Sequence, residues 1–288
     1  MKLIDSTSAK VQNTQVRAIA SSNSSFRQFM CYAATTVASA ISGTIGLVKN
    51  GIGGLTLSGN CDYSGPTQIN AGSLTLTGAS TLNGVISGSG SLAKSGSLAV
   101  TLGGNNTYSG GTSYSSSVAG ATITFASGNV FGTGLVTCSG TACQIITGNS
   151  VTIPNNFQLN SGVVLQYRVN AATTILTLSG NIDGSGSLNK TSTGQLRLNG
   201  TLNYTGSTTI TAGTLRAIKT AGASTATATF TTGLSVSFNV SPPSGTTTFR
   251  FFQGSTTNSY PTVTLVGVPT GTTATYTSST STLSVTVP

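Results

Sequence analysis

The sequence predicts an all-β chain wound as a parallel β-solenoid, with a short helical segment at its N-terminus and an aromatic-rich cap at its C-terminus. Three observations carry this. Apolar residues alternate with Ser and Thr, as half-buried strands require. Only 5% of the 288 residues are charged while 37% are hydrophobic, which suits neither a helical bundle nor a disordered tract. One spaced motif also recurs along the chain, the mark of a repeat architecture.

The motif is legible in "LNGVISGSGSLAK" from Leu82 and "LSGNIDGSGSLNK" from Leu178. With Lys49, Lys94 and Lys190 set in register, Leu57, Leu102 and Leu198 each follow eight residues later. Tyr63, Tyr108 and Tyr204 follow at fourteen, then Gly65, Gly110 and Gly206, then Thr67, Thr112 and Thr208. The first lysine step is 45 residues and the second, 96, is about twice that. Propeller blades would show aromatic or Trp-Asp signatures, and there is no tryptophan. A phosphate-cradling glycine loop would need an amphipathic helix after it, and neither copy has one. The leucines are therefore expected to stack inward at equivalent places. The glycines are expected at corners that need positive φ. The tyrosines are expected to form a corner stack, with a sugar- or partner-binding ladder as the functional alternative. Thr-x-Thr pairs are irregularly spaced along the chain, so no flat threonine lattice is expected.

Residues 1–40 differ from the rest. Phe26, Phe29, Met30, Ala33, Ala34, Val37, Ala38 and Ile41 have helical spacing, with Ser24 or Ser25 as N-cap. Such a helix is about 24 Å long, too short for a transmembrane segment. It is read as a cap or anchor, with Arg17, Phe26, Arg27, Phe29 and Met30 facing a partner. Residues 41–229 form the repeats and 230–288 a closing β-module. In that module five of the ten phenylalanines fall between Phe230 and Phe252. Leu234, Val236, Phe238 and Val240 alternate there, as do Leu283, Val285 and Val287.

Little chemistry is available. The side-chain carboxylates are Asp5, Asp62 and Asp183, with no glutamate and no histidine. Acid pairs, Ser-His pairs and calcium clusters are thus excluded, and no catalytic, metal or cofactor site is expected. Cys31, Cys61, Cys138 and Cys143 are expected as buried, reduced thiols, with a bridge between Cys138 and Cys143 across a turn as the alternative. The net charge of +9 is scattered rather than clustered, which argues against nucleic acid as a partner.

The strings "SGSGSLAKSGSLAVTLGGNNTYSGGT" from Ser87 and "NGTLNYTGSTTITAGTL" from Asn199 resemble the autotransporter-associated β-strand repeat, over about residues 41–220. Residues 230–288 resemble the module that closes many such passengers. The resemblance implies a right-handed parallel β-helix of structural or adhesive character without a catalytic site. A cleavable signal and a C-terminal membrane barrel, expected of that family, are not recognised here. The sequence is therefore read as a virion appendage, such as a bacteriophage fibre, spike or decoration protein. Its expected partners are a capsid or base protein, further copies of itself and a host-surface glycan. A secreted adhesin or autotransporter-like passenger is the alternative.

Overall fold

Parallel pairing that steps once per coil organises the computed structural model. It describes residues 26–206, except 119, and the strands at 11–12, 16–19, 208–210, 214–217, 234–237, 245–250, 263–266, 273–277 and 282–287. The chain falls into two units, Met1–Gln144 and Ile145–Pro288.

In the first unit each coil has three faces. The first face holds Phe26–Cys31, Gly46–Asn50, Thr67–Ile69 and Ile86–Ser87. The second holds Thr35–Val37, Leu55–Leu57, Ser73–Leu76, Ser91–Lys94, Thr112–Ser116 and Val136–Gly140. The third holds Ile41–Gly43, Cys61–Tyr63, Ser80–Leu82, Val100–Leu102 and Thr122–Phe125. The strands are short because alternation lasts only three to six residues before a Gly, Ser or Asn turn. Inward positions align, so Leu55, Leu74 and Leu92 form one buried row. That pairing makes successive coils 19 and 18 residues long. Thr112 pairs with Val136, so the next coil takes 24. The extra turn seats Val130 and Phe131 in the core.

The helix expected from Phe26 to Ile41 does not form. Phe26–Cys31, Thr35–Val37 and Ile41–Gly43 are strands. Phe26–Cys31 pairs in parallel with Gly46–Asn50, burying Phe29 and Cys31. The same apolar residues satisfy a helical stripe and a strand-corner-strand path. Pairing with the neighbouring coil and the β-branched run Thr35-Thr36-Val37 decide for strands. The parallel pairing consequently begins before residue 41. Val16–Ile19 runs antiparallel on Phe26–Cys31, and Val11–Gln12 runs antiparallel on Thr35–Val37. Reversed strands at the end of a parallel stack occupy edges that would otherwise template another chain.

The second unit repeats the plan. Val151–Ile153, Ile175–Leu178, Gln195–Leu198 and Thr214–Ala217 make one parallel face. Val164–Val169, Ser187–Thr191, Thr208–Ile210, Leu234–Ser237 and Val263–Val266 make another. Phe157–Leu159 pairs with Ile182–Gly184, which Leu202 bridges. Thr282–Val287 lies between Gly245–Arg250 and Thr273–Thr277, antiparallel to both, so this end of the chain abandons the parallel coil. The expected aromatic cap rests partly on Phe230, Phe238, Phe251 and Phe252, which lie outside the described residues, as do Asp5, Ser24 and Ser25.

Candidate functional site

The recurring motif builds a corner, and the lysine is its centre. Lys49 Nζ donates to the carbonyl oxygens of Asn50 (3.0 Å), Gly51 (2.7 Å) and Ala71 (3.0 Å). Lys94 Nζ donates to Ser95 and Gly96, both at 3.1 Å, and Lys190 Nζ to Thr191 and Ser192, both at 2.6 Å. All three lysines are buried. The residue two places after each lysine has positive φ: Gly51 at 78°, Gly96 at 80° and Ser192 at 68°. The left-handed residue makes the sharp bend, and the lysine ammonium satisfies carbonyls that strand pairing leaves over. Lys94 Nζ also lies 6.0 Å from the Tyr114 ring centroid, at the outer limit of a cation–π contact. Burial lowers the pKa of Lys49 and Lys94, and pushes that of Lys190 down to about 8.

Leu57, Leu102 and Leu198 are buried but not stacked on one another. Leu57 pairs with Val37 and Leu76 on the second face, and Leu102 with Leu82 and Phe125 on the third. Leu198, in the second unit, pairs with Leu178 and Ala217. The tyrosines likewise form no ladder on the surface. Tyr63, Tyr108 and Tyr204 are all buried, where no sugar reaches them. Tyr63 bonds the Thr67 hydroxyl at 2.7 Å and Tyr108 that of Thr112 at 2.6 Å, and Tyr204 bonds Thr208 in the same way. Burial raises all three phenols, Tyr204 to about 12.

Gly65, Gly110 and Gly206 stand between each tyrosine and its threonine, and none has positive φ. Their need for glycine is a close approach. An added Cβ would lie 2.3, 2.5 and 2.1 Å from backbone atoms of Gly46, Gly90 and Gly186 respectively. The recurring spacing of the motif therefore serves the interior of the coil.

The remaining candidates are scattered. Arg27 donates to the carbonyls of Ser42 (2.8 Å) and Ile45 (3.0 Å), tying its strand to the next corner. Arg17 pairs in register with Met30, which is half-buried, and Phe29 with Ala18. Asp62 is exposed on the third face of the first unit. In the second unit Asp183 accepts a 2.7 Å bond from Asn203 Nδ2. Among the described residues no three His, Cys, Asp or Glu come together as metal ligands, and no helix is long and apolar enough to cross a membrane.

Two features were missed from the sequence. Asn106 is buried, accepting from Ile86 N–H (2.8 Å) and donating to Val130 O (2.7 Å). Its setting just before Tyr108, in an Asn-rich turn, gave no distinguishing signal. The second is a correction. Threonines spaced unevenly in sequence do align, because coil length varies while pairing register does not. Thr36, Thr56, Thr75, Ala93, Ser113 and Thr137 form one row across the second face. Ser42, Asp62, Thr81, Thr101 and Thr124 form another across the third. Neighbours in such rows are about 4.8 Å apart.

Comparison with known proteins agrees with this construction. A 71-residue stretch, 25% of the chain, is 45% identical to the Adhesin BmaC autotransporter of Brucella suis biovar 1 (strain 1330). It covers 2% of that protein, so the chain spans a small fraction of its relative. No solved structure matches the chain. Residues 47–76, 92–113 and 188–217 match the Passenger-associated-transport-repeat family. Each matched segment contains one lysine corner, its tyrosine and its threonine, so the chain carries three copies of the passenger-associated transport repeat.

Proposed function

We propose that the chain is a non-enzymatic adhesive scaffold, secreted or held at a bacterial cell surface. The carrying observation is the repeat itself, matched three times, and a 71-residue likeness to a protein described as an autotransporter adhesin supports it. The repeated polar groups are consumed in building corners, which supports a scaffold rather than a reaction centre. The Ser and Thr rows, which carry a single carboxylate at Asp62, offer regular hydrogen-bonding faces suited to a host-surface glycan. The adhesin relative favours this reading over the virion appendage expected from the sequence, and over its capsid or base-protein partner.

The test is display of the full chain on a non-adherent bacterium, with protease accessibility on intact cells to verify exposure. Exposed chain is expected to raise attachment to host epithelial cells at least several-fold, with the gain removed by glycosidase treatment of those cells. Verified exposure without any gain in attachment would overturn the adhesive role. A gain insensitive to glycosidases would overturn the glycan.

A further inference from the structure

Cys138 and Cys143 meet inside one corner of the first unit. Cys138 is in the strand Val136–Gly140, on the second face, and Cys143 is in the next strand, Ala142–Thr147. Gly140 turns the chain between them with φ of 82°. Both side chains point inward and both are fully buried. Cys143 Sγ donates to Tyr114 O at 3.3 Å and to Ser139 O, the carbonyl next to Cys138, at 3.5 Å, which brings it against the Cys138 strand. Cys138 is in register with Tyr114, which is in register with Lys94. Cys138 thus occupies the inward position that a lysine fills at the corner after Ser91–Lys94, two residues before the left-handed glycine in each case. Cys31 and Cys61 are also buried, but on the first and third faces.

We infer that Cys138 and Cys143 are a disulfide-forming pair, closing a covalent clip across this corner when the chain folds outside the reducing cytoplasm. The inference rests on the surface reading for its oxidising compartment. A thiolate of one cysteine attacks an oxidant of the disulfide class, such as oxidised glutathione, and releases one reduced thiol. The second cysteine then displaces the remaining thiol from the mixed disulfide. Two S–H bonds are lost and one S–S bond forms. The two electrons leave with the oxidant, reduced to two thiols. The neighbouring Cys143 side chain, and then burial, raise the Cys138 thiol well above its ordinary value, so the closed corner reacts slowly. Oxidation therefore accompanies folding, and the finished bond is shielded from reductants.

The experiment refolds purified, reduced full-length chain with oxidised and reduced glutathione, then alkylates it after denaturation and maps its peptides. Two alkylated cysteines, Cys31 and Cys61, and a linked Cys138–Cys143 peptide are expected. Cys138→Ser and Cys143→Ser should each leave three alkylated thiols. If either variant fails to fold, the wild-type peptide map decides alone. Four alkylated thiols in folded chain, or a link through Cys31 or Cys61, would overturn the clip. Neither result depends on attachment, so the clip and the adhesive role fail separately.

Discussion

Lys49 and Lys94 make the same corner on different faces of the first unit. Lys49 is on the first face, in register with Ile69, while Lys94 is on the second, in register with Leu76 and Tyr114. The 45 residues between them amount to two coils of about 19 residues and roughly one face more. The motif is therefore phased to corners and not to whole coils. Its first copy runs Lys49, Leu57, Tyr63 and Thr67 over the first, second, third and first faces. The second copy starts one face later. Its Tyr108 lies over the first-face row, since Thr107 and Ser109 donate to Ile86 and Gly88. A three-sided coil with interchangeable corners tolerates that shift, because each corner poses the same hydrogen-bonding problem.

The lysine corners should confer an alkaline trend on stability. The folded pKa of Lys190, about 8, lies below its ordinary 10.5. Between those values the unfolded chain binds more protons, so this group makes unfolding harder as pH rises from 8 toward 10.5. Below pH 8 its burial cost is fully present. Buried Tyr and Cys groups act oppositely at high pH, so the comparison must be with Lys190→Met. Urea unfolding at pH 7, 8, 9 and 10 should show wild type gaining on the variant at each step. A constant difference would mean that the carbonyls of Thr191 and Ser192 hold the ammonium at its ordinary pKa.

Removing one hydroxyl from a tyrosine corner should cost about 1 kcal/mol. In Tyr108→Phe the Thr112 hydroxyl keeps its 3.3 Å bond to Phe131 O, which limits the loss. Thr112→Val should cost more, and the double variant less than the sum of the two. Denaturant melts of the four proteins check the coupling.

Gly110→Ala should destabilise by about 1–3 kcal/mol through overpacking. Its Cβ would lie 2.5 Å from the Gly90 carbonyl carbon. Gly148→Ala is the control, because nothing lies within 4 Å of the added atom. That variant should be neutral or gain about 0.5 kcal/mol from a stiffer unfolded chain. Equal effects at the two sites would remove close approach as the reason for the corner glycine.

Leu102→Ala should cost about 3 kcal/mol, since its fully buried side chain sits between Leu82 and Phe125 with little room to collapse. The midpoint of a urea transition should fall while its slope stays unchanged.

The sequence by itself determined the strand class, the inward leucines and the corner motif, because alternation and turn chemistry act over a few residues. The bond between each Tyr and the Thr four places on is equally local, although the spacing alone predicts a stack of tyrosines instead. Which face each copy occupies was decided only by the tertiary structure. That phase depends on the length of every intervening coil, including the 24-residue one after Thr112. The burial of Lys49, Lys94 and Lys190 was equally hidden, because a lysine in an alternating run reads as surface until the leftover corner carbonyls are located. Gly65 illustrates the same limit, since its missing Cβ answers to Ile45 and Gly46 one coil away and not to its own dihedral angles. Residues 26–41 took strand rather than helix for this reason as well: the hydrogen-bond partners that decided it lie on Gly46–Asn50, which becomes a neighbour only when the coil closes.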